Sequence, residues 1–216
     1  MAVRAYSNRS VLAKKFKVVP FEGAWLSSIG RPELRGVWHV YGDSGHGKTS
    51  FCLQLAKYLS RFGRVLYNSL EQGLSRPMQL AWQEAGMEEA GNRVRLLDRM
   101  PMAELIELLS KRQSPEIVII DSSHYWRRLR MSDVDYLRGK FHKKLFVFIS
   151  HKEKGSNEPK GAVAKDLKFD SDVKVFVEGF RAMITSRYAL PELGEGGQDY
   201  IIWQEGADKY WKTETN

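Results

Sequence analysis

A glycine-rich stretch, GDSGHGKT at residues 42–49, most constrains how this sequence can fold. It fits the pattern G-x-x-x-x-G-K-[ST], which binds phosphate when a strand precedes it and a helix follows it. An apolar run, VWHVY at 37–41, comes before it, and apolar residues spaced along one helical face follow from Lys48. Both flanking elements are predicted, which favours a phosphate-binding loop over a solvent-exposed glycine turn.

The residue types in this stretch suit a triphosphate. Gly42, Gly45 and Gly47 allow the backbone to curl so that successive N–H groups point inward, and the following helix adds its positive N-terminal end. We predict that Lys48 reaches the β- and γ-phosphates and that the Thr49 hydroxyl is a ligand of Mg²⁺. The predicted nucleotide-binding residues are Gly42, Asp43, Ser44, Gly45, His46, Gly47, Lys48, Thr49 and Ser50.

Two acidic residues at predicted strand ends extend this candidate site. Asp121 ends the apolar run EIVIID, where a carboxylate would lie beside the loop and hold Mg²⁺ through water, as in a Walker B strand. Glu71 ends the second predicted strand, 23 residues after Lys48, and an acid there could polarise an attacking water. The alternatives are a turn-forming aspartate and a glutamate at a helix start.

Strand-like and helix-like segments alternate along the chain. This order predicts an α/β fold of three layers, with a mostly parallel central sheet and antiparallel strands at its C-terminal edge. Residues 1–20 are predicted as a basic N-terminal extension and residues 21–216 as one domain. The predicted strands are 37–41, 64–70, 93–97, 116–121, 144–150, 172–179, 180–188 and 200–204, and the predicted helices start at 48, 75, 102 and 132.

The composition suits a soluble globular chain with a polyanionic partner. The 216 residues carry a formal net charge of +8, which favours a nucleic-acid partner, although solubility alone would also explain it. Cys52 is the only cysteine, so no intramolecular disulfide can form, and we expect a reducing, cytoplasmic compartment. No apolar run approaches the ~18 residues of a membrane span, so we expect no membrane partner.

The order of motifs along the chain resembles the RecA-like P-loop ATPase core, and within it most closely the RadA (Sms) and DnaB-type helicase branch. The resemblance covers about residues 20 to 204 and implies ATP and Mg²⁺ as ligands and assembly into a ring or filament. The segments that carry it are GDSGHGKTS, YNSLEQ, IVIID, FVFISHKEKG, FDSDVKVFVEG and TSRY.

The resemblance also implies roles for individual residues. Glu71 matches the catalytic base, and His151 matches the residue that senses the γ-phosphate, although a histidine can also simply cap a strand end. A Lys-Asn-Arg-Phe-Gly signature of the RadA branch corresponds to TSRYA at 185–189. Arg187 matches its arginine and would reach a neighbour's ATP, with Arg181 as the competing candidate, whereas Thr185 replaces its lysine.

Two basic segments are predicted to bind DNA, which we expect to be single-stranded. Residues 122–144 hold seven Lys or Arg against two Asp, with aromatic side chains beside the arginines, which suits stacking on unpaired bases and contact with phosphates. Residues 151–166 are rich in glycine and lysine and take the place of a mobile DNA-binding loop in the family that the chain resembles. A subunit interface or a solvated surface is the alternative for these segments. The predicted DNA contacts are Tyr125, Trp126, Arg127, Arg128, Arg130, Lys152, Lys154 and Lys160.

Together these features predict a Mg²⁺-dependent ATPase that acts on DNA in recombination, repair or replication and forms a homo-oligomer. Lys48, Glu71, Asp121, His151 and Arg187 are its predicted catalytic residues. One alternative is a P-loop kinase of a small molecule. The other is a regulatory module whose ATP state controls a protein partner.

Overall fold

The computed structural model describes residues 5–126 and 129–213, and none of its described helices is long and apolar enough to cross a membrane. The helices are α1 (Asn8–Leu12), α2 (Gly23–Ile29), α3 (Lys48–Leu59), α4 (Arg76–Glu84), α5 (Met102–Ser110), α6 (Met131–Lys140), α7 (Ala162–Asp170) and α8 (Gln204–Thr213). The strands are β1 (Gly36–Gly42), β2 (Val65–Ser69), β3 (Val94–Asp98), β4 (Ile117–Asp121), β5 (Leu145–His151), β6 (Val173–Glu178), β7 (Arg181–Ser186) and β8 (Tyr200–Ile201). Short 3₁₀ segments lie at Met87–Arg93, Ser123–Tyr125 and Pro191–Leu193.

Within the described residues, the strands form an eight-stranded sheet in the order β3-β2-β4-β5-β1-β6-β7-β8. The strands from β3 to β6 in this order run parallel to their neighbours. Strand β7 pairs antiparallel with β6, and β8 pairs antiparallel with β7. The predicted fold class, including the antiparallel strands at one edge, is confirmed.

Helices cover both faces of the sheet, which gives three layers. One face packs against α2, α3 and α4 around side chains such as Trp38 and Leu55. The other face packs against α5, α6 and α7 around side chains such as Leu105 and Leu137. Strand β4 is buried along its whole length, because a parallel strand covered on both faces has no solvent side.

The C-terminal part of the chain differs from the prediction. The strand predicted at 200–204 is only two residues long, Tyr200–Ile201, and α8 begins at Gln204. Gly206 hid this helix from the sequence pattern, because glycine lowers helix propensity. A Cβ on Gly206 would overlap the Trp203 ring, so close packing accounts for the glycine.

The N-terminal segment packs less than the rest. Helix α1 contributes no buried side chain, whereas Val19 and Phe21 are both buried in the core. The division between an extension and a domain at residue 20 stays a prediction.

We expect Leu55→Ala to lower the free energy of unfolding by about 2–5 kcal/mol, because truncating a fully buried leucine leaves a cavity under the sheet. Leu55 is 1% exposed on α3. Urea unfolding of both proteins measures the difference. The matched control is Leu80→Ala on α4, where the side chain is 43% exposed and the expected loss is below about 1 kcal/mol. Equal losses in the two variants would contradict the packing described for α3.

Candidate active site

The glycine-rich loop lies at the carboxyl end of β1, the strand between β5 and β6. Helix α3 begins at Lys48, as the pattern predicts. Gly45 and Gly47 have φ values of 79° and 98°, which side-chain-bearing residues rarely adopt. A Cβ on Gly42 would overlap the Val177 carbonyl oxygen, so the neighbouring strand leaves room only for glycine.

Lys48 is held inside the loop. The residue is 9% exposed, and its Nζ donates a hydrogen bond of 2.6 Å to the Asp43 carbonyl oxygen. Burial lowers the pKa of Lys48, while the nearby charges of Asp121 and Glu71 act in the opposite direction. The Asp43 carboxylate accepts a hydrogen bond of 2.8 Å from the Ser44 N–H at the tip of the loop.

Asp121 lies at the carboxyl end of β4 and is 4% exposed. Its Oδ2 accepts a hydrogen bond of 2.6 Å from the Tyr67 hydroxyl. Burial raises the pKa of Asp121 to about 6, although the hydrogen bond from Tyr67 lowers it. The Glu71 N–H donates to the Asp121 carbonyl oxygen at 3.1 Å, so the end of β4 also anchors the segment after β2.

Thr49 and Asp121 provide the kind of ligands that Mg²⁺ prefers. Both offer oxygen atoms, from a half-buried hydroxyl in the first turn of α3 and a carboxylate at the tip of β4. Within the described residues, no group of three or more His, Cys, Asp or Glu side chains could hold a metal ion. The residues therefore fit an ion bound by few side chains together with water and phosphate oxygens, as Mg²⁺ usually is.

Glu71 and His151 form a pair at the same edge of the sheet. His151 ends β5 and lies opposite Gly42 in the register of β1 and β5. Its Nε2 donates to Glu71 Oε2 at 3.3 Å, and this hydrogen bond is the largest cause that lowers the pKa of Glu71. Glu71 is therefore a carboxylate at neutral pH. The fold brings Glu71 and His151 to the edge where Lys48 and Asp121 lie.

Arg99 supports the segment that carries Glu71, although the sequence patterns did not single it out. Its Nη2 donates to the Gln72 carbonyl oxygen at 2.6 Å. The neighbouring Asp98 accepts a hydrogen bond of 3.0 Å from the Leu74 N–H. The position of Arg99 directly after β3, at the same edge of the sheet, is the one signal by which sequence reasoning could have found it.

The C-terminal part of the chain packs against the tip of the loop. The Gly179 N–H donates to His46 Nδ1 at 3.0 Å, and the Phe180 N–H donates to the His46 carbonyl oxygen at 3.2 Å. The Trp211 indole N–H on α8 donates to the Gly179 carbonyl oxygen at 3.2 Å. His46 is therefore a structural contact between the loop and the β6–β7 turn as well as a loop residue.

A cleft of about 570 Å³ opens beside the first turns of α3. Two aromatic side chains form part of its wall, and their rings, Phe180 and Trp203, meet edge to face at 5.1 Å between centroids. Trp203 is 52% exposed. The cleft is lined by Ser50, Gln54, Ala81, Glu84, Ala85, Phe180, Ile202 and Trp203.

Arg187 lies at the opposite end of the sheet from the loop. It follows β7, and its Nη1 pairs at 3.1 Å with Oδ1 of Asp172, which directly precedes β6. Strand β1 is seven residues long, which places this edge about 20 Å from the loop. Arg187 therefore does not contact a nucleotide in its own loop, and its action on a neighbour's ATP stays a prediction. The competing Arg181 begins β7 at the loop end, with its guanidinium 5.1 Å from the Trp211 ring.

Two of the predicted DNA contacts need correction. Trp126 is 7% exposed, and its indole N–H donates to the Met100 carbonyl oxygen at 3.2 Å, so its ring is not available to stack on a base. Lys152 pairs with Glu178 at 3.2 Å, with only 13% of its side chain exposed. The other described candidates are exposed, and they are Tyr125, Arg130, Lys154 and Lys160. Arg127 and Arg128 lie outside the described residues.

The segment predicted as an irregular loop at 151–166 is more ordered than expected. A β-bridge joins Lys152 to Pro159, and α7 begins at Ala162. Two ion pairs tie the segment to α7, one between Lys165 and Glu153 at 2.8 Å and one between Lys168 and Glu158 at 2.7 Å. We call residues 152–160 the β5–α7 loop.

Comparison with protein-family models and with curated proteins finds no match for this sequence. Among solved structures, the flagellar accessory protein FlaH from Methanocaldococcus jannaschii is similar, with a TM-score of 0.53 and 13% identity over 78% of this chain and 84% of that one. The ATPase domain of a helicase is similar with a TM-score of 0.54 and 15% identity, over 82% of this chain and 84% of that one. The chain has the RecA-like P-loop ATPase fold. The interpretation of the motif order as a RecA-like core is thereby confirmed.

The RecA-like core contains a buried carboxylate whose titration affects folding. In the apoprotein, the pKa of Asp121 is raised from an ordinary 3.8 to about 6, so between these values the folded state keeps a proton that the unfolded state loses. Stability from this group therefore falls as the pH rises through that window. We expect Asp121→Asn to raise the free energy of unfolding at pH 8 by about 1–3 kcal/mol, with the gain shrinking towards zero near pH 4.

Urea unfolding across this pH range, with chelator and without nucleotide, measures the effect. The matched control is Asp199→Asn at an exposed position, which should follow the wild-type pH profile. A loss of stability at pH 8 in Asp121→Asn would contradict the assigned desolvation of this carboxylate.

Proposed function

We propose that this RecA-like chain is a Mg²⁺-dependent ATPase that forms a homo-oligomer and acts on DNA in recombination, repair or replication. The observation that carries the proposal is the meeting of Lys48, Glu71, Asp121 and His151 beside the glycine loop. A buried lysine at a helix N-terminus, a carboxylate for Mg²⁺ and a second carboxylate for water are the parts that transfer of a phosphoryl group to water requires.

The proposed chemistry assigns one task to each residue. The loop N–H groups and the Lys48 ammonium bind the β- and γ-phosphate oxygens. Mg²⁺, held by Thr49 and Asp121, supplies positive charge to those oxygens. Glu71 orients a water molecule and takes its proton as the water oxygen attacks the γ-phosphorus, and the bond to the β–γ bridging oxygen breaks to release ADP. His151 donates to Glu71 and thereby holds the carboxylate in one orientation.

We assign the purine base of ATP to the cleft beside α3. Ser50, directly after the predicted Mg²⁺ ligand, lines this cleft, so a nucleotide with its phosphates in the loop can extend into it. The exposed Trp203 ring and the adjoining Phe180 ring offer aromatic surface for stacking on a base.

The proposed DNA surface lies on segments that follow β4 and β5. These strands are neighbours in the sheet, so the exposed Tyr125 and Arg130 on one segment and Lys154 and Lys160 on the other emerge from the same edge. The net charge of +8 supports a polyanionic partner. Burial of Trp126 and pairing of Lys152 remove these two side chains from the proposed surface.

Assembly into a homo-oligomer is the proposal that gives Arg187 a task, because the residue is too far from the loop of its own chain. Exposed apolar side chains on the N-terminal segment support an interface with a second copy. These side chains are Tyr6, Val11, Leu12, Phe16 and Val18, which are 48–79% exposed. Light scattering at several protein concentrations, with and without ATP, measures the assembled mass, and a monomer under all conditions would contradict the proposal.

We expect Glu71→Gln to lower kcat for ATP by about 10²–10⁴-fold, because the amide cannot take the proton from water. The affinity for ATP should stay within about 3-fold, since the phosphates bind to the loop rather than to Glu71. Phosphate release and equilibrium binding of a fluorescent ATP analogue provide the two measurements. Glu192→Gln, at an exposed position far along the chain, is the matched control. Turnover at the wild-type rate in Glu71→Gln would refute the assignment of the base.

We expect the triple variant Arg130→Glu, Lys154→Glu and Lys160→Glu to bind single-stranded DNA about 10²-fold more weakly and with a shallower salt dependence. Fluorescence anisotropy of a labelled oligonucleotide across a salt series measures both. The matched control, Lys111→Glu, Arg112→Glu and Lys143→Glu, makes the same charge change at exposed positions before β4 and β5.

Equal weakening in the two triple variants would show that charge alone, and not this surface, determines DNA binding. An absence of DNA binding by the wild type would favour a regulatory module that acts on a protein partner. ATP turnover that needs a small-molecule acceptor would favour a kinase.

A further inference from the structure

His124 occupies a place next to the proposed catalytic pair. It lies in the 3₁₀ segment Ser123–Tyr125, directly after β4. Its ring contacts the His151 ring, with 5.4 Å between centroids and 50° between planes. His151 in turn donates to Glu71 at 3.3 Å. His124 is therefore the next side chain out from the residues assigned to hydrolysis.

The hydrogen bonds of His124 define which ring nitrogen carries the proton. Nε2 lies 2.9 Å from the Lys160 carbonyl oxygen, and because a carbonyl only accepts, Nε2 is the donor. Nδ1 lies 3.3 Å from Ser122 Oγ, so in the neutral ring it accepts from that hydroxyl. Desolvation lowers the pKa of His124, which keeps the ring neutral at pH 7. The ring thus connects the end of β4 to the β5–α7 loop.

Lys160 is held by both histidines through its backbone. Its N–H donates to the His151 carbonyl oxygen at 2.8 Å, and its carbonyl oxygen accepts from His124. Lys160 is the last residue of the β5–α7 loop before Gly161, which precedes α7 with φ of 87°. A shift of His151 therefore changes the hold on the residue from which the loop joins α7.

We propose that His124 is a positioning residue that holds His151 towards Glu71 and connects this pair to Lys160, so that nucleotide binding changes the β5–α7 loop. The inference rests on the proposed function, because it assumes that Glu71 and His151 face ATP. It goes further in naming the side chain that carries the coupling and the backbone group that receives it.

Two variants separate the contacts of His124. His124→Phe keeps an aromatic ring against His151 and removes both hydrogen bonds. His124→Gln keeps a side-chain N–H donor for the Lys160 carbonyl oxygen and removes the ring. A role in packing alone predicts that Phe is tolerated better than Gln, whereas the proposed connection to Lys160 predicts the reverse.

The test is amide hydrogen exchange of residues 152–161 with and without a non-hydrolysable ATP analogue and Mg²⁺, combined with steady-state kinetics. In the wild type, we expect the analogue to slow exchange in this segment by about 10-fold. In His124→Phe, the slowing should be lost, with kcat lowered about 10-fold and KM within about 2-fold. His124→Gln should restore most of both effects.

A wild-type exchange response in His124→Phe, or an equal loss in Phe and Gln, would overturn the proposal. Failure of the proposed function has a different signature, because the wild type itself would then neither bind the analogue nor release phosphate from ATP. Urea unfolding of both variants checks that they fold.

Discussion

The close approach of β1 to β6 at Gly42 is the constraint on which the rest of the site depends. The backbone of Val177 lies where a side chain on Gly42 would be, so β1 ends tightly against its neighbour and the chain turns into the loop at the centre of the sheet. On the other side of β1, strand β5 ends at His151, directly opposite Gly42. Because the parallel strands end at one edge, the loop, Asp121 and His151 meet there without long connecting segments.

Burial then determines the electrostatics of this edge. Asp121 is desolvated and has a raised pKa, whereas Glu71 has a lowered pKa because His151 donates to it. Two carboxylates at the ends of neighbouring strands therefore differ in their readiness to hold a proton. The more exposed Glu71 is the carboxylate suited to water, and the deeply buried Asp121 is the one suited to a cation, which agrees with the proposed division of tasks.

The sequence was sufficient for the features that local patterns determine. The glycine spacing, the apolar run ending in Asp121 and the helix from Lys48 are determined within a few residues, and the structure has them where they were predicted. The contacts of Arg99 and His124 depend on residues far along the chain, so no local pattern contains them. Trp126 illustrates the opposite error, since an aromatic residue beside arginines suggests base stacking, yet its ring fills the core.

The central claim is that the loop site transfers the γ-phosphoryl group of ATP to water. The most direct test is ATP turnover in water enriched in ¹⁸O, without any added acceptor, followed by mass analysis of the released phosphate. The proposed chemistry predicts inorganic phosphate that carries one oxygen atom from the solvent for each ATP consumed. Phosphate release that requires a small-molecule acceptor, with the phosphoryl group found on that acceptor, would contradict it.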